Sequence, residues 1–495
     1  MALAHTYTAV EKHRNKIFTS FYDVHGQKHY KLMDYQPTLY TETDQPSKFK
    51  SLGGKNLEEK RFANVRDFFD FKYKNQETLD LYGDISPTYQ FIQRHFGTQY
   101  DLSMIRVGII DIEVKSEEGF PHPDIAMWPI TSISLKDVST NKVYVAALKG
   151  YDKNLTILDG VKPENINFRM FKDDRGILKW LCQVLKYTKP DILCGWNSDN
   201  FDFPYIINRF DYVFDDEMEK LKLSPTNVVY SELQQNQRDF RNVIGGITLF
   251  DYMRLYKKYV FKPRASYALD FISSAELGAT KIDYSEFDDL NDLWDKNPQK
   301  YIDYNIYDVE LIDMLEKKLG LIDLACTVAY KARCNFIDVM GTIRVWDVLL
   351  YNYLREQNIM IPPNKDVEES QSFTGAYVKD PKTAIYDWVV SLDLASLYPH
   401  LQQQFNISPE CLVKNESIPV SLDHVSNRLL NREIKGNKDY ILAANGHYFR
   451  KDKEGFIPTI LREIYSERSA VKKTMLEKKQ ELILLKEEKA RRDQK

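Results

Sequence analysis

The stretch Arg106-Val107-Gly108-Ile109-Ile110-Asp111-Ile112-Glu113 constrains the fold of this chain more than any other. Successive side chains of a strand alternate faces, so Val107, Ile109, Asp111 and Glu113 share one face and Gly108, Ile110 and Ile112 the other. With both faces largely apolar, the strand belongs inside a sheet that is covered on both sides. Two adjacent carboxylates there are costly unless a cation neutralises them; an edge strand with its acids in water is the alternative. Further strands are expected from Ile130 to Leu135, Val143 to Leu148 and Asp191 to Gly195, with helical periodicity from Ile177 to Leu185. This alternation predicts an α/β domain around a mixed sheet, ending near residue 324.

Two further segments carry acids. Asn197-Ser198-Asp199-Asn200-Phe201-Asp202-Phe203-Pro204-Tyr205 follows a strand and reads as a polar loop. Tyr304-Asn305-Ile306-Tyr307-Asp308 reads as helix, where Tyr304 and Asp308 lie one turn apart on one face and can converge on one water. Neither means much alone.

A second carboxylate-bearing string is Trp388-Val389-Val390-Ser391-Leu392-Asp393-Leu394-Ala395-Ser396-Leu397-Tyr398-Pro399. An apolar strand, Ala384 to Leu392, is expected to deliver Asp393 into a turn that opens a helix. The Asp393 carboxylate and the Leu394 carbonyl could reach a metal, and the Ser396 and Leu397 N–H groups could hold phosphate oxygens at the helix start. Tyr398 would lie beneath a sugar, its ring excluding a 2′-hydroxyl. A strand-to-helix turn with Leu397 and Tyr398 simply packed is the alternative. Such a site needs two carboxylates for two cations, and this string supplies one.

The order Asp111-x-Glu113, then Asp202, then Tyr304-x-x-x-Asp308 resembles the proofreading 3′–5′ exonucleases of the DEDD type, tyrosine subclass. That resemblance implies an RNase H-like fold with two divalent ions, Asp111, Glu113, Asp202 and Asp308 as ligands and Tyr304 orienting the attacking water. Phe120, in Glu118-Gly119-Phe120-Pro121, could stack on a frayed terminal base or cap the core. Ser391 to Pro399 looks like motif A of family B DNA polymerases. With Ser266-Tyr267-Ala268-Leu269-Asp270-Phe271-Ile272, Phe373-Thr374-Gly375-Ala376-Tyr377-Val378 and Asn406-Ile407-Ser408-Pro409-Glu410, the resemblance narrows to the replicative polymerases of T-even-like bacteriophages. It implies Mg²⁺, with Mn²⁺ as a substitute, at both sites. Arg468 and Lys472, one turn apart in an expected long helix from Thr459 to Lys495, match the fingers residues that bind the nucleotide triphosphate. The alternative for that helix is a coiled-coil seam at Leu461, Ile464, Val471, Met475, Leu482 and Leu485, which Arg468 and Lys478 would interrupt. His400 departs from the usual Ser, and Phe373 from the usual Tyr.

The fold class expected is a multidomain α/β and α+β chain: an N-terminal domain (1–103), the exonuclease domain (104–324), a return to the N-terminal domain (325–367), a partial palm (368–455) and the first part of the fingers (456–495). At 495 residues the length suits about three domains. The net charge of −4 gives no overall pull on nucleic acid but leaves room for a basic cleft. Cys182, Cys194, Cys326, Cys334 and Cys411 are scattered without close ligand pairs, which argues for reduced thiols and against a zinc site. No signal peptide is evident, and no apolar run approaches the roughly 18 residues of a membrane span. A soluble protein of the infected host's cytoplasm is expected.

Tyr82-Gly83-Asp84-Ile85-Ser86 is the string nearest to the Tyr-Gly-Asp-x-Asp turn that gives family B polymerases their second carboxylate, but it lies upstream of Asp393 and reads as a turn. The expectation is therefore the N-terminal subunit of a split DNA polymerase. Its substrates would be primer-template DNA, single-stranded 3′ ends and dNTPs. A C-terminal partner chain would supply the rest of the palm, the thumb and the sliding-clamp contact. The alternatives are a free-standing 3′–5′ exonuclease with a vestigial polymerase segment and a non-enzymatic nucleic-acid-binding or scaffold protein.

Overall fold

The computed structural model describes residues 6–493 apart from 98, 118, 236–238, 365–377, 418–426, 428–429, 432–437 and 444. Glu118, residues 373–377 of the Phe373 string and the first ten residues of the expected palm therefore lie outside the described residues. The chain divides into two compact units, one of Met1–Glu42 and Glu58–Gln357, the other of Thr43–Leu57 and Asn358–Lys495.

In the first unit the strand Val107–Val114 takes an interior place in a six-stranded sheet. It pairs antiparallel with Ile130–Asp137 on one side and parallel with Ile192–Gly195 on the other. Lys142–Ala147 and Ile166–Met170 extend the first side, Thr248–Asp251 the second. The sheet is mixed, and the strand interior, for the reason its two apolar faces suggest: Ile110, Ile112, Ile133 and Leu135 pack with Leu178 and Leu181 of the helix Asp174–Thr188 and Ile206 of the helix Asp202–Val213. Gly195 allows the close approach that ends its strand, since a Cβ there would stand 2.8 Å from the Ile110 carbonyl oxygen.

The helix Pro298–Leu319 lies on the same sheet. Asn297 caps its start by accepting from the Lys300 N–H (3.1 Å), Pro298 fits the first turn, and Gly320 ends it in the left-handed region (φ 61°). Buried polar contacts fix its position. Asp303 accepts from the Tyr151 and Thr156 hydroxyls (2.7 Å each), and Lys136, deep in the sheet, pairs with Asp313 (2.6 Å) and Glu310. Near the N-terminus, Thr6–His13, Lys16–Tyr22 and Lys28–Met33 form a three-stranded antiparallel sheet. Ser86 caps the helix Pro87–His95, and Gly83 (φ 68°) lies in the left-handed region, so Tyr82–Ser86 is a turn leading into a helix.

Two expectations are corrected. Asp202 is not in a loop: it is the first residue of the helix Asp202–Val213, whose opening turn accommodates Pro204 because the N–H groups there have no intrahelical partner. The strand from Ala384 to Leu392 is not formed. Residues 378–394, all described, take no strand pairing, and Trp388 and Leu392 are 94% and 91% exposed. A β-prone run becomes a strand only when neighbours take up its backbone donors and acceptors.

In the second unit the helix Leu397–Gln404 starts at Ser396, itself in the left-handed region (φ 54°). The Asn406–Glu410 string organises the start of the long helix Phe456–Asp493. Asn406 donates to the Arg450 and Lys453 carbonyls (2.7 and 2.8 Å) and accepts from the Gly455 N–H, while Glu410 accepts from the Phe456 N–H (2.7 Å). The exposed Val471, Met475, Leu482 and Leu485 leave the outer part of that helix without apolar cover within this unit. Among the described residues no helix is long and apolar enough to cross a membrane.

Candidate active site

Asp111 and Glu113 project from one face of their strand towards Asp308 on the overlying helix. Each of the three offers a carboxylate oxygen, all within 4.8 Å of one another. Asp202 joins from the first turn of the helix Asp202–Val213: its Oδ1 accepts the Ile112 N–H (3.0 Å), the peptide between the two strand acids. Asp202 and Asp308 are 3% exposed, whereas Asp111 and Glu113 keep partial access to solvent.

The electrostatics are those of a site short of positive charge. Burial, reinforced by the Asp308 carboxylate, pushes Glu113 up to about 8. Burial followed by the charges of Asp308, Asp202 and Glu113 holds Asp111 well above the usual carboxylate range. Asp202 rises to about 7, mainly through burial, despite the hydrogen bond from Ile112. Burial also raises Asp308, against the pull of Lys281. Asp308 Oδ1 is buried and has no hydrogen-bond partner. Converging carboxylates with an orphaned oxygen fit a hard divalent cation, whose preferred ligands are carboxylate oxygens.

Tyr304 stands one turn before Asp308, as the i, i+4 spacing implies. Its hydroxyl accepts a hydrogen bond from Lys281 Nζ (2.9 Å), and the same ammonium pairs with Asp308. The Tyr284 ring meets Tyr304 edge-on at 5.6 Å. Burial, then the charge of Asp308, keep the phenol well above its ordinary value, so it remains a hydrogen-bond donor at neutral pH. Burial alone would lower Lys281, but Asp308, Tyr304 and Asp111 outweigh it and hold the ammonium above its ordinary range.

Lys281 was not singled out in the sequence. It lies in a connection after Gly278, where no periodicity marks it, and its place depends on the Ser266–Ile272 string: Asp270 accepts the Lys281 N–H (2.8 Å). The one available signal was chemical, in that four converging acids call for a counter-charge. Asn305 was also missed. It donates to Asp111 Oδ2 (2.7 Å), and its own carbonyl accepts from the Ser132 and Ser134 hydroxyls (2.8 and 2.7 Å).

Phe120 is 65% exposed and leans on Phe201 (ring centroids 5.5 Å), the residue before Asp202. Asp393, Leu394, Leu397 and Tyr398 belong to the second unit and are exposed, with Ser396 half-buried. There the helices Leu397–Gln404 and Phe456–Asp493 pack through His400 and Tyr465 (ring centroids 4.7 Å). Arg468 lies over the Tyr465 ring (6.0 Å) and Lys472 follows one turn on, both exposed to solvent. His400 thus has a packing role in the position where a departure from Ser was noted.

This is a mixed α/β multidomain protein with an exonuclease domain and part of a polymerase domain. Residues 88–272 match the exonuclease domain of DNA polymerase family B, and residues 335–489 match DNA polymerase family B itself. The chain belongs to family B of the DNA polymerases. It is similar to the DNA-directed DNA polymerase of Escherichia phage RB69 (31% identical, 95% of this chain and 54% of that protein). A second relative is the DNA-directed DNA polymerase of Enterobacteria phage T4 (29%, 95% and 54%), and a third is DNA polymerase 1 of Pyrococcus abyssi (28%, 75% and 43%). The chain thus spans about half the length of the phage relatives. The first match includes Asp111, Glu113 and Asp202, and the second Asp393, Arg468 and Lys472; Tyr304 and Asp308 fall between them.

Proposed function

We propose that the first unit is a 3′–5′ exonuclease of RNase H-like fold that removes nucleotides from single-stranded DNA ends, and that the second supplies part of a DNA polymerase site. The observation that carries the first reading is the convergence of Asp111, Glu113 and Asp308 within 4.8 Å, with Asp202 bonded to the peptide between the first two. These four would hold two Mg²⁺ ions, or Mn²⁺ in their place, which when bound activate water and stabilise a leaving 3′ oxygen. Tyr304, kept protonated, orients the attacking water by donating to it. Lys281 holds the phenol and Asp308 in register and offsets charge beside the scissile phosphate. Phe120 offers an exposed ring against which a frayed base can stack.

In the second unit Asp393 and the Leu394 carbonyl are the proposed metal ligands, with Ser396, Leu397 and Tyr398 around the incoming nucleotide and Arg468 and Lys472 on its triphosphate. The remaining carboxylate and a thumb are assigned to polypeptide beyond these residues, continuous with this chain or separate. Any sliding-clamp contact belongs with that polypeptide. The domain layout given above is kept as part of the proposal, and the similarity to phage enzymes supports a role in replication inside an infected bacterium.

The test is primer degradation and primer extension with Mg²⁺, for these residues alone and with a polypeptide carrying the missing palm and thumb. Alone they should degrade 3′ ends, and Asp111→Ala should abolish that. Extension should need the added polypeptide and be lost in Asp393→Ala. Extension without it would overturn the division of the polymerase site, and an Asp111→Ala variant that still degrades DNA would overturn the nuclease assignment.

A further inference from the structure

Asn305 sits between Tyr304 and Ile306 on a helix, where its neighbour Tyr304 draws the attention, yet its side chain is fully buried. Its amide group donates to Asp111 Oδ2 at 2.7 Å and more weakly to the Asp111 main-chain oxygen at 3.3 Å. Its carbonyl oxygen accepts from Ser132 at 2.8 Å and Ser134 at 2.7 Å. Those serines are not incidental neighbours. They alternate on one face of the strand Ile130–Asp137, and in the antiparallel register Ser134 stands opposite Asp111 and Ser132 opposite Glu113.

The arrangement fixes which way the amide points. Were it turned over, its carbonyl would face the ionised, cation-binding form of Asp111, two acceptors without a proton between them in a buried setting. On the far side the two serine hydroxyls donate to the carbonyl and complete the hydrogen bonding of the amide in this orientation. With Oδ2 so held, the Asp111 carboxylate is fixed beside Glu113 and Asp308.

We infer that Asn305, oriented by Ser132 and Ser134, is a positioning residue that presets Asp111 for a divalent cation. The inference rests on the exonuclease reading above. Groups that orient metal ligands in this way commonly account for a factor of about 10 to 100 in metal affinity.

The test is Mn²⁺ binding to the whole chain without DNA, followed by the loss of the free-ion paramagnetic resonance signal. The parent chain should show a binding component that Asp111→Ala removes. Asn305→Ala should weaken that component by about 10- to 100-fold, and should raise the Mg²⁺ concentration for half-maximal excision while leaving the KM for single-stranded DNA unchanged. The Ser132→Ala/Ser134→Ala double variant keeps the amide but frees it to turn, and should give a smaller loss. It also decides the matter if Asn305→Ala fails to fold. Parental Mn²⁺ affinity in a folded Asn305→Ala chain, or in the double serine variant when Asn305→Ala is unfolded, overturns the inference. A parent chain with no Asp111-dependent component overturns the metal-site reading itself, and the inference with it.

Discussion

From Val107 to Val114 an apolar strand carries Asp111 and Glu113 into a buried centre; from Ala384 to Leu392 an equally apolar run carries Asp393 into solvent. The first has a paired strand on each side and helices over its faces, so its acids are held against burial and against one another. The second has no strand beside it among the described residues, and Trp388 and Leu392 stay nearly fully exposed. The difference teaches that a run of Val, Ile and Leu ending in Asp specifies where a carboxylate could go, while neighbouring backbone decides whether it gets there. In the first unit everything needed to place the acids lies within the unit.

If that comparison and the proposed nuclease activity are right, excision depends on the first centre alone. Asp308→Ala should reduce degradation of a labelled single-stranded oligonucleotide by roughly a thousand-fold or more, and Asp393→Ala should leave it at the parental rate. Loss of excision in Asp393→Ala would break the separation between the two regions. Lys281→Met should have the next largest effect, about a hundred-fold, since Tyr304 and Asp308 both lose the cation between them. Lys281→Arg should recover only part of this, because a planar guanidinium cannot reproduce a compact ammonium at both oxygens.

The contrast also marks how far the sequence could be read. The shared face of Asp111 and Glu113 was legible from a period of two on an apolar strand, and that of Tyr304 and Asp308 from i, i+4 spacing, but that they belong to one centre was implied only by the resemblance to proofreading exonucleases of the DEDD type. The terminal helix was legible to within a few residues, since a long run of good helix formers needs little tertiary help to be recognised. Asp202 was found as a residue but misplaced in a loop, its helix start hidden by the Asn-Ser-Asp-Asn run before it. Lys281 and Asn305 depend on contacts between segments distant in the chain, Asp270 for one and the serines of a neighbouring strand for the other, and no local pattern encodes those. The strand expected at Ala384–Leu392 rested on its apolar, β-prone residues, which do not encode what would pair with them.

The buried acids give the comparison a thermodynamic form. Without metal, folding raises Glu113 from 4.5 to about 8 and Asp202 from 3.8 to about 7. Between those limits the folded state holds more protons than the unfolded one, so metal-free stability falls as pH rises from about 4 to 8. Below both unfolded values the penalty vanishes, and above pH 8 it is complete. The thermal midpoint of the first unit in chelator should therefore drop over this range, and Mg²⁺ should restore it most at the alkaline end. Glu113→Gln should raise the metal-free midpoint at pH 8 by a few degrees and change it little at pH 4.5, while abolishing excision. A midpoint that rises with pH in chelator would show that these carboxylates carry no such strain.

The smallest effects belong to the other region, and their smallness is the point. Asp393→Asn and Leu392→Ala should each alter the stability of this chain by no more than about 0.5 kcal/mol, the range of surface substitutions, because an exposed side chain surrenders no packing when it is trimmed. Trp388→Ala should behave likewise, although burial would make the same change one of the most damaging available, on the order of 3–5 kcal/mol. If further polypeptide completes the palm as proposed, supplying it should convert one case into the other: Trp388 fluorescence should shift to the blue, and Trp388→Ala should then weaken the assembly. Emission spectra of the parent chain compared with Trp388→Ala, with and without that polypeptide, measure the first effect, and calorimetry the second. A large loss from Trp388→Ala in the chain alone would mean that this run already has neighbours, and that the two regions differ less than their exposure implies.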